Sequence, residues 1–99
     1  MLVNSFVPVS GRADELIARH VADTLALGLL AAEYGWRSNR VYREHDGRSM
    51  IVVTAFATGD HHRRWLDSDE FRRHRDHLGE LLADARSTPC DLVAATGVV

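Results

Sequence analysis

The stretch from Trp36 to Ala57 constrains the fold more than any other part of the chain. Two β-rich runs, Trp36 to Glu44 and Ser49 to Ala57, flank His45-Asp46-Gly47-Arg48. Asp-Gly between such runs marks a hairpin, because glycine supplies the positive φ that a tight turn needs. The second run, Ser49-Met50-Ile51-Val52-Val53-Thr54-Ala55-Phe56-Ala57, is apolar at odd and even positions alike. Both of its faces therefore need cover.

The rest of the chain supplies that cover. Leu2 to Val9 reads as a strand bounded by Pro8 and Ser10-Gly11, with Asn4 and Phe6 on one face. From Arg12 to about Tyr34, Leu16, Ile17, Val21, Leu25 and Leu29 recur at helical spacing, Asp14 and Glu15 suit the first turn, and Gly35 suits the stop. Thr58-Gly59-Asp60 starts a short helix carrying His61, His62 and Trp65. Asp67 with Glu70 fits a capping box, with Ser68 as the alternative cap. The helix opened there is expected to run to about Arg86, with Phe71, His74, Leu78, Leu81, Leu82 and Ala85 on one face and Arg72, Arg73, Asp76 and Glu80 on the other. Cys90 to Ala95 reads as a last strand.

The expected class is α+β: a ferredoxin-like βαββαβ order with a four-stranded antiparallel sheet, residues 1–99 forming a single domain. One sheet face then lacks helices and carries Val3, Val7, Ile51, Val53 and, with the last strand in register, Val93. That much β-branched surface implies a homodimer packed sheet against sheet.

Composition narrows the function classes. All twelve basic residues are arginine, and with fourteen acidic ones the net charge is −2, which argues against a nucleic-acid or anionic-membrane partner. The arginine runs at 63–64 and 72–75 are interleaved with Asp60, Asp67, Asp69, Glu70 and Asp76 and read as a solvated, salt-bridged face. The strand at Ser49 to Phe56 lacks the basic residue and glycines of an RNA-recognition strand. The seven scattered glycines form no dinucleotide or phosphate-binding loop. One cysteine, Cys90, allows no internal disulfide. With neither a leader-like N-terminus nor a long apolar run, it implies a cytoplasmic protein with no membrane span.

Across essentially its whole length the chain resembles the antibiotic biosynthesis monooxygenase family of dimeric α+β barrel proteins. The likeness rests on Val3-Asn4-Ser5-Phe6-Val7 as the opening strand, Gly11-Arg12-Ala13-Asp14-Glu15-Leu16 at the first helix, and Trp65-Leu66-Asp67-Ser68-Asp69-Glu70-Phe71 with His74 in the second helical segment. Two departures stand out: Tyr34-Gly35-Trp36 replaces the family's Pro-Gly-Phe, and Phe56 stands where its polyketide oxygenases often have Trp. The resemblance implies several chemistries, among them cofactor-free oxidation of aromatic polyketide intermediates, haem degradation and isomerisation, so the fold alone does not select one.

Asn4, an amide within an apolar strand, either satisfies a structural hydrogen bond or meets a ligand oxygen. His74, among Phe71, Leu78 and Leu81, is either a core histidine or a group aimed into a pocket. Asn4, Trp65 and His74 are the expected catalytic set, and Phe6, Trp36, Tyr42, Phe56, Phe71 and His77 the expected substrate contacts. His20, His45, His61, His62 and His77 read chiefly as surface groups. His74 and His77 stand three apart, yet nothing completes a tetrahedral site, and no metal is expected.

The leading expectation is a cofactor-independent monooxygenase acting with molecular oxygen on an electron-rich phenolic or anthrone-like aromatic. Asn4 would hold the oxygen, Trp65 and Phe56 the rings, and His74 the proton. A haem-binding or haem-degrading protein using Asn4, Trp65 and His74, with His74 on iron, is the alternative implied by the resemblance, and it matches these three residues better. A non-oxidative isomerase or cyclase, and a dimeric binding module, stay open.

Overall fold

The computed structural model describes residues 1–97, and within the first helix only the backbone at 29–31. Strand β1 (Leu2–Pro8) leads through Gly11 into helix α1 (Ala13–Glu33). Gly35, at φ +80°, ends that helix and turns the chain into β2 (Trp36–Arg43). Gly47, at φ +73°, closes the hairpin to β3 (Met50–Phe56). Helices α2 (Gly59–Leu66) and α3 (Asp69–Gly79) follow, and β4 (Leu82–Pro89) completes a four-stranded antiparallel sheet in the order β2-β3-β1-β4. This is the ferredoxin-like α+β arrangement, its second crossover split into two helices. No helix is long and apolar enough to cross a membrane among the described residues.

The register puts Asn4 beside Val52 and Phe6 beside Met50, and these side chains share the face that the helices cover. Leu16, Met50, Val52, Leu78 and Leu81 form the buried core, with Phe6, Ile17, Val41 and Leu82 packed on it. Burying a side chain such as Leu16 or Leu81 contributes about 1.5–3 kcal/mol.

Three elements differ from the sequence expectation. Helix α3 stops at Gly79 instead of running to Arg86, and residues 82–89 form the last strand while Cys90 to Ala95 have no regular structure. The cause is tertiary. β1 has β3 on one edge, and its other edge needs partners for its amides and carbonyls, which Leu82–Pro89 provide. Leu81 still enters the core, but from the turn after α3, and Val93 is 95 % exposed, away from the sheet. The outer face therefore receives Asp84, Arg86 and Thr88 beside Val7, Ser5 and Val3.

Helix α1 also turns a different stripe inward. Steps of four, as in Ile17, Val21 and Leu25, drift about 40° each around a helix with 3.6 residues per turn. Val21 and Leu25 accordingly stand exposed, at 38 % and 79 %, and the side chain of Leu29 lies outside the described residues. The inward stripe is Leu16, His20, Asp23 and Leu27, which alternates steps of four and three, with Thr24 beside it. Finally, Ser68 caps α3 by accepting from the Phe71 amide, with Asp67 closing α2.

Candidate functional site

The helices cover the sheet incompletely and leave a cavity of about 240 Å³ between them. Its floor is Asn4 of β1, Val52, Thr54 and Phe56 of β3, Asn39 of β2 and Ser87 of β4; its walls are His20 and Thr24 of α1, His62 and Trp65 of α2, and Phe71 and His74 of α3, with Trp36 at one end. Both tryptophans of the chain thus face the same space.

Local capping sets the aromatic wall. The Ser68 hydroxyl donates to the Trp65 carbonyl at 2.6 Å and accepts from the Phe71 amide at 3.1 Å. This joins the end of α2 to the start of α3 and leaves the Trp65 and Phe71 rings 5.9 Å apart, edge to face. Trp65 is 4 % exposed and meets Trp36 at 5.1 Å and Tyr34 at 5.5 Å. The Tyr34 hydroxyl donates to Glu70, which ties the end of α1 over α3. At the far side Phe56 lies against Trp36 and His62.

The polar groups are few and specifically held. The Asn4 amide oxygen accepts from the Ser87 hydroxyl, which β4 brings alongside it, so the amide NH₂ remains as a donor. Asn39 accepts from Thr54 at 2.7 Å. His74 Nδ1 lies 3.2 Å from the Asp23 carboxylate, which His77 Nδ1 also meets at 2.8 Å. An ionised carboxylate only accepts, so both ring nitrogens facing it carry protons and His74 Nε2 is left as an acceptor. His74 walls both the cavity and an outer groove of about 340 Å³ lined by Asp23, Ala26, Leu27, Glu70, Arg73 and His77.

His20 is the residue that sequence reasoning missed. Expected on the surface, it is 3 % exposed, its ring 5.1 Å from that of His74 and 6.2 Å from that of Phe6. Neither of its nitrogens has a partner, and Trp36 Nε1 and His62 Nε2 are also buried without one among the described residues. A buried polar atom left unsatisfied costs about 1–3 kcal/mol, and such a cluster in one hollow is what a ligand would relieve. The α1 stripe of alternating steps was the available signal for His20. Burial, with a smaller repulsion from His74 and an opposing attraction from Asp23, pushes His20 down to about 4. Burial also lowers His62, and lowers His74 against the opposing hydrogen bond that His74 donates to Asp23.

Of the expected site residues, Asn4, Trp36, Phe56, Trp65, Phe71 and His74 are brought together around this cavity. Three are not. Phe6 packs into the core beneath His20. Tyr42 pairs with Ile51 on the opposite sheet face, 48 % exposed. His77 stands in the outer groove and reaches the cavity only through Asp23. Among the described residues no group of three or more His, Cys, Asp or Glu could hold a metal ion. Arg63 and Arg72 of the helices are paired at the surface, with Asp60 and Asp69.

A family model described as antibiotic biosynthesis monooxygenase matches residues 1–77. No curated protein matches the chain. Among solved structures, PA3566 from Pseudomonas aeruginosa is similar at 17 % identity and a TM-score of 0.76, over 94 % of this chain and 92 % of that one. Rv0793 from Mycobacterium tuberculosis is similar at 22 % identity and 0.71, over 94 % and 96 %. A protein provisionally named an antibiotic biosynthesis monooxygenase, from Deinococcus radiodurans, is similar at 14 % and 0.77, over 100 % and 99 %. Likeness at these identities is a likeness of fold.

The buried histidines make stability depend on acid. His20 takes up a proton at about 4 when folded but near its ordinary 6.5 when unfolded. Between those values the unfolded chain binds more protons, so stability falls as the pH drops through this window. Urea unfolding should show the native protein losing about 2 kcal/mol from His20 between pH 7 and pH 5, and His20→Phe should show a shallower loss. An equal loss in the variant would mean that His20 does not titrate as buried.

Proposed function

Because the chain belongs to the antibiotic biosynthesis monooxygenase family, we propose that its cavity is the active site of a cofactor-independent monooxygenase for a small electron-rich phenolic or anthrone-like aromatic. The observation that carries this reading is His74, one face in an aromatic-walled cavity and Nδ1 held by a carboxylate.

The chemistry asks little of the protein beyond a base and a dry, flat pocket. His74 Nε2 accepts the substrate's acidic proton, and Asp23 stabilises the imidazolium that forms. The Asn4 NH₂ donates to the developing oxyanion, while Trp65, Phe71 and Phe56 hold the rings. The substrate anion passes one electron to dioxygen, the radical pair joins at carbon as a hydroperoxide, and loss of water leaves a carbonyl. An anthrone CH₂ and O₂ thus give a quinone C=O and H₂O, with both electron pairs supplied by the substrate. His77 and the outer groove give the proton a way to solvent.

Haem is the second reading, favoured by one observation: a carboxylate behind a histidine is the usual support of a ligating imidazole. Size and charge weigh against it: the cavity is about 240 Å³ and no arginine lines it to meet the carboxylates of haem. An isomerase or cyclase would use the same base without oxygen.

The test is oxygen uptake with 1,8-dihydroxyanthrone in chelator-treated buffer. Uptake should exceed the buffer rate without added flavin or haem, and His74→Ala should lower it by about 10²–10⁴-fold. Leu78→Ala, a core control, should lower melting temperature but spare activity per folded molecule. Uptake at the buffer rate, or equal losses in both variants, would contradict the reading.

The working unit in this proposal is a homodimer. The outer sheet face carries Val3, Ile51 and Val53 at its centre, between Arg40 on one side and Arg86 on the other, an apolar strip that a second copy would cover. Light scattering at micromolar concentration should give about twice the 11.1 kDa chain mass; a clean monomer would contradict it.

A further inference from the structure

The cavity is hydrogen-bonding but uncharged. Although the chain has twelve arginines and fourteen acidic residues, none of them lines this space, and its polar groups are amides, hydroxyls, an indole N–H and imidazoles. At its inner end His20 is 3 % exposed, with both ring nitrogens unpartnered. A neutral imidazole offers one donor and one acceptor. A hydroxyl also donates and accepts, so it can bond whichever of the two nitrogens it meets, whether that nitrogen is the donor or the acceptor, whereas a carboxylate only accepts and would bring in a charge that no cation meets.

We propose that His20 is the specificity-determining residue of this cavity, selecting a neutral ring that bears a hydroxyl over the same ring bearing a carboxylate. The inference rests on the cavity being the ligand site, as in the proposed function, but on none of the oxygen chemistry. The position of His20 supports it. The ring lies 5.1 Å from that of His74, so a hydroxyl bonded to His20 is presented to the proposed base. The imidazole also stays neutral at neutral pH, because burial and His74 hold it down to about 4. Asp23 is the charged group nearest this pair, and its carboxylate is taken up by His74 and His77.

Calorimetric titration with 1-naphthol, 1-naphthoate and naphthalene tests the proposal without any turnover. The native protein should bind 1-naphthol at least about tenfold more tightly than either of the others, the effect of one well-made buried hydrogen bond. His20→Phe should erase the preference over naphthalene while keeping naphthalene binding, which also shows that the variant is folded. His20→Gln, which restores a donor and an acceptor, should recover part of it. Equal affinity for naphthol and naphthoate in the native protein, or a preference for naphthol over naphthalene that survives in His20→Phe, would overturn the role of His20. No binding of any of the three would overturn it together with the cavity as ligand site. Selective binding without oxygen uptake would leave His20 as proposed and sink the oxygenase.

Discussion

Strand β1 must be paired on both of its edges, and the arrangement of the site depends on that requirement. With β3 on one side, the backbone groups of Leu2–Pro8 on the other side need a strand, and Leu82–Pro89 is drawn in to supply it. That pairing ends α3 at Gly79, turns Leu81 into the core, and sets Ser87 beside Asn4 so that the amide has a fixed orientation. A helix continued to Arg86 would have left Asn4 beside an open sheet edge and the cavity without part of its floor.

Above this floor the helices place unlike groups at one depth. Apolar and aromatic side chains from α2 and α3 exclude water, and the stripe of α1 that faces inward puts His20 and Asp23 beside His74. The low polarity that holds the imidazoles neutral also strengthens the hydrogen bond that His74 donates to Asp23. Polar atoms without partners in such a setting are a standing cost to folding, about 1–3 kcal/mol each. A fold retains that cost where binding or catalysis returns it.

Much of this was legible in the sequence. The hairpin around Asp46-Gly47, the glycine stop at Gly35 and the alternation that puts Asn4 on the helix side are local features, fixed by turn chemistry and strand period. Strand and helix periods put Asn4 on the helix side and His74 on the apolar face of its helix, but only the resemblance to the family joined them with Trp65 as one site. The end of α3 could not, because Ala-Asp-Ala-Arg favours a helix locally and becomes a strand only through pairing with a distant edge. His20 was hidden for a related reason: a run of four-residue steps through Ile17, Val21 and Leu25 looked like the buried stripe, and helical drift carries it to the surface. Tyr42 fell on the wrong sheet face because its strand partner, Ile51, faces outward.

The central claim is that Asp23 holds His74 so that Nε2 meets the cavity as an acceptor. Its most direct test is the tautomer of His74, read from the ring-nitrogen shifts of ¹⁵N-histidine-labelled protein at neutral pH and assigned with a His74→Gln variant. The account predicts a protonated Nδ1 and a bare Nε2, with the bare Nε2 taking up a proton when a phenolate-forming ligand binds and the preference lost in Asp23→Asn. A His74 protonated at Nε2 with a bare Nδ1, or one unchanged by Asp23→Asn, would contradict it.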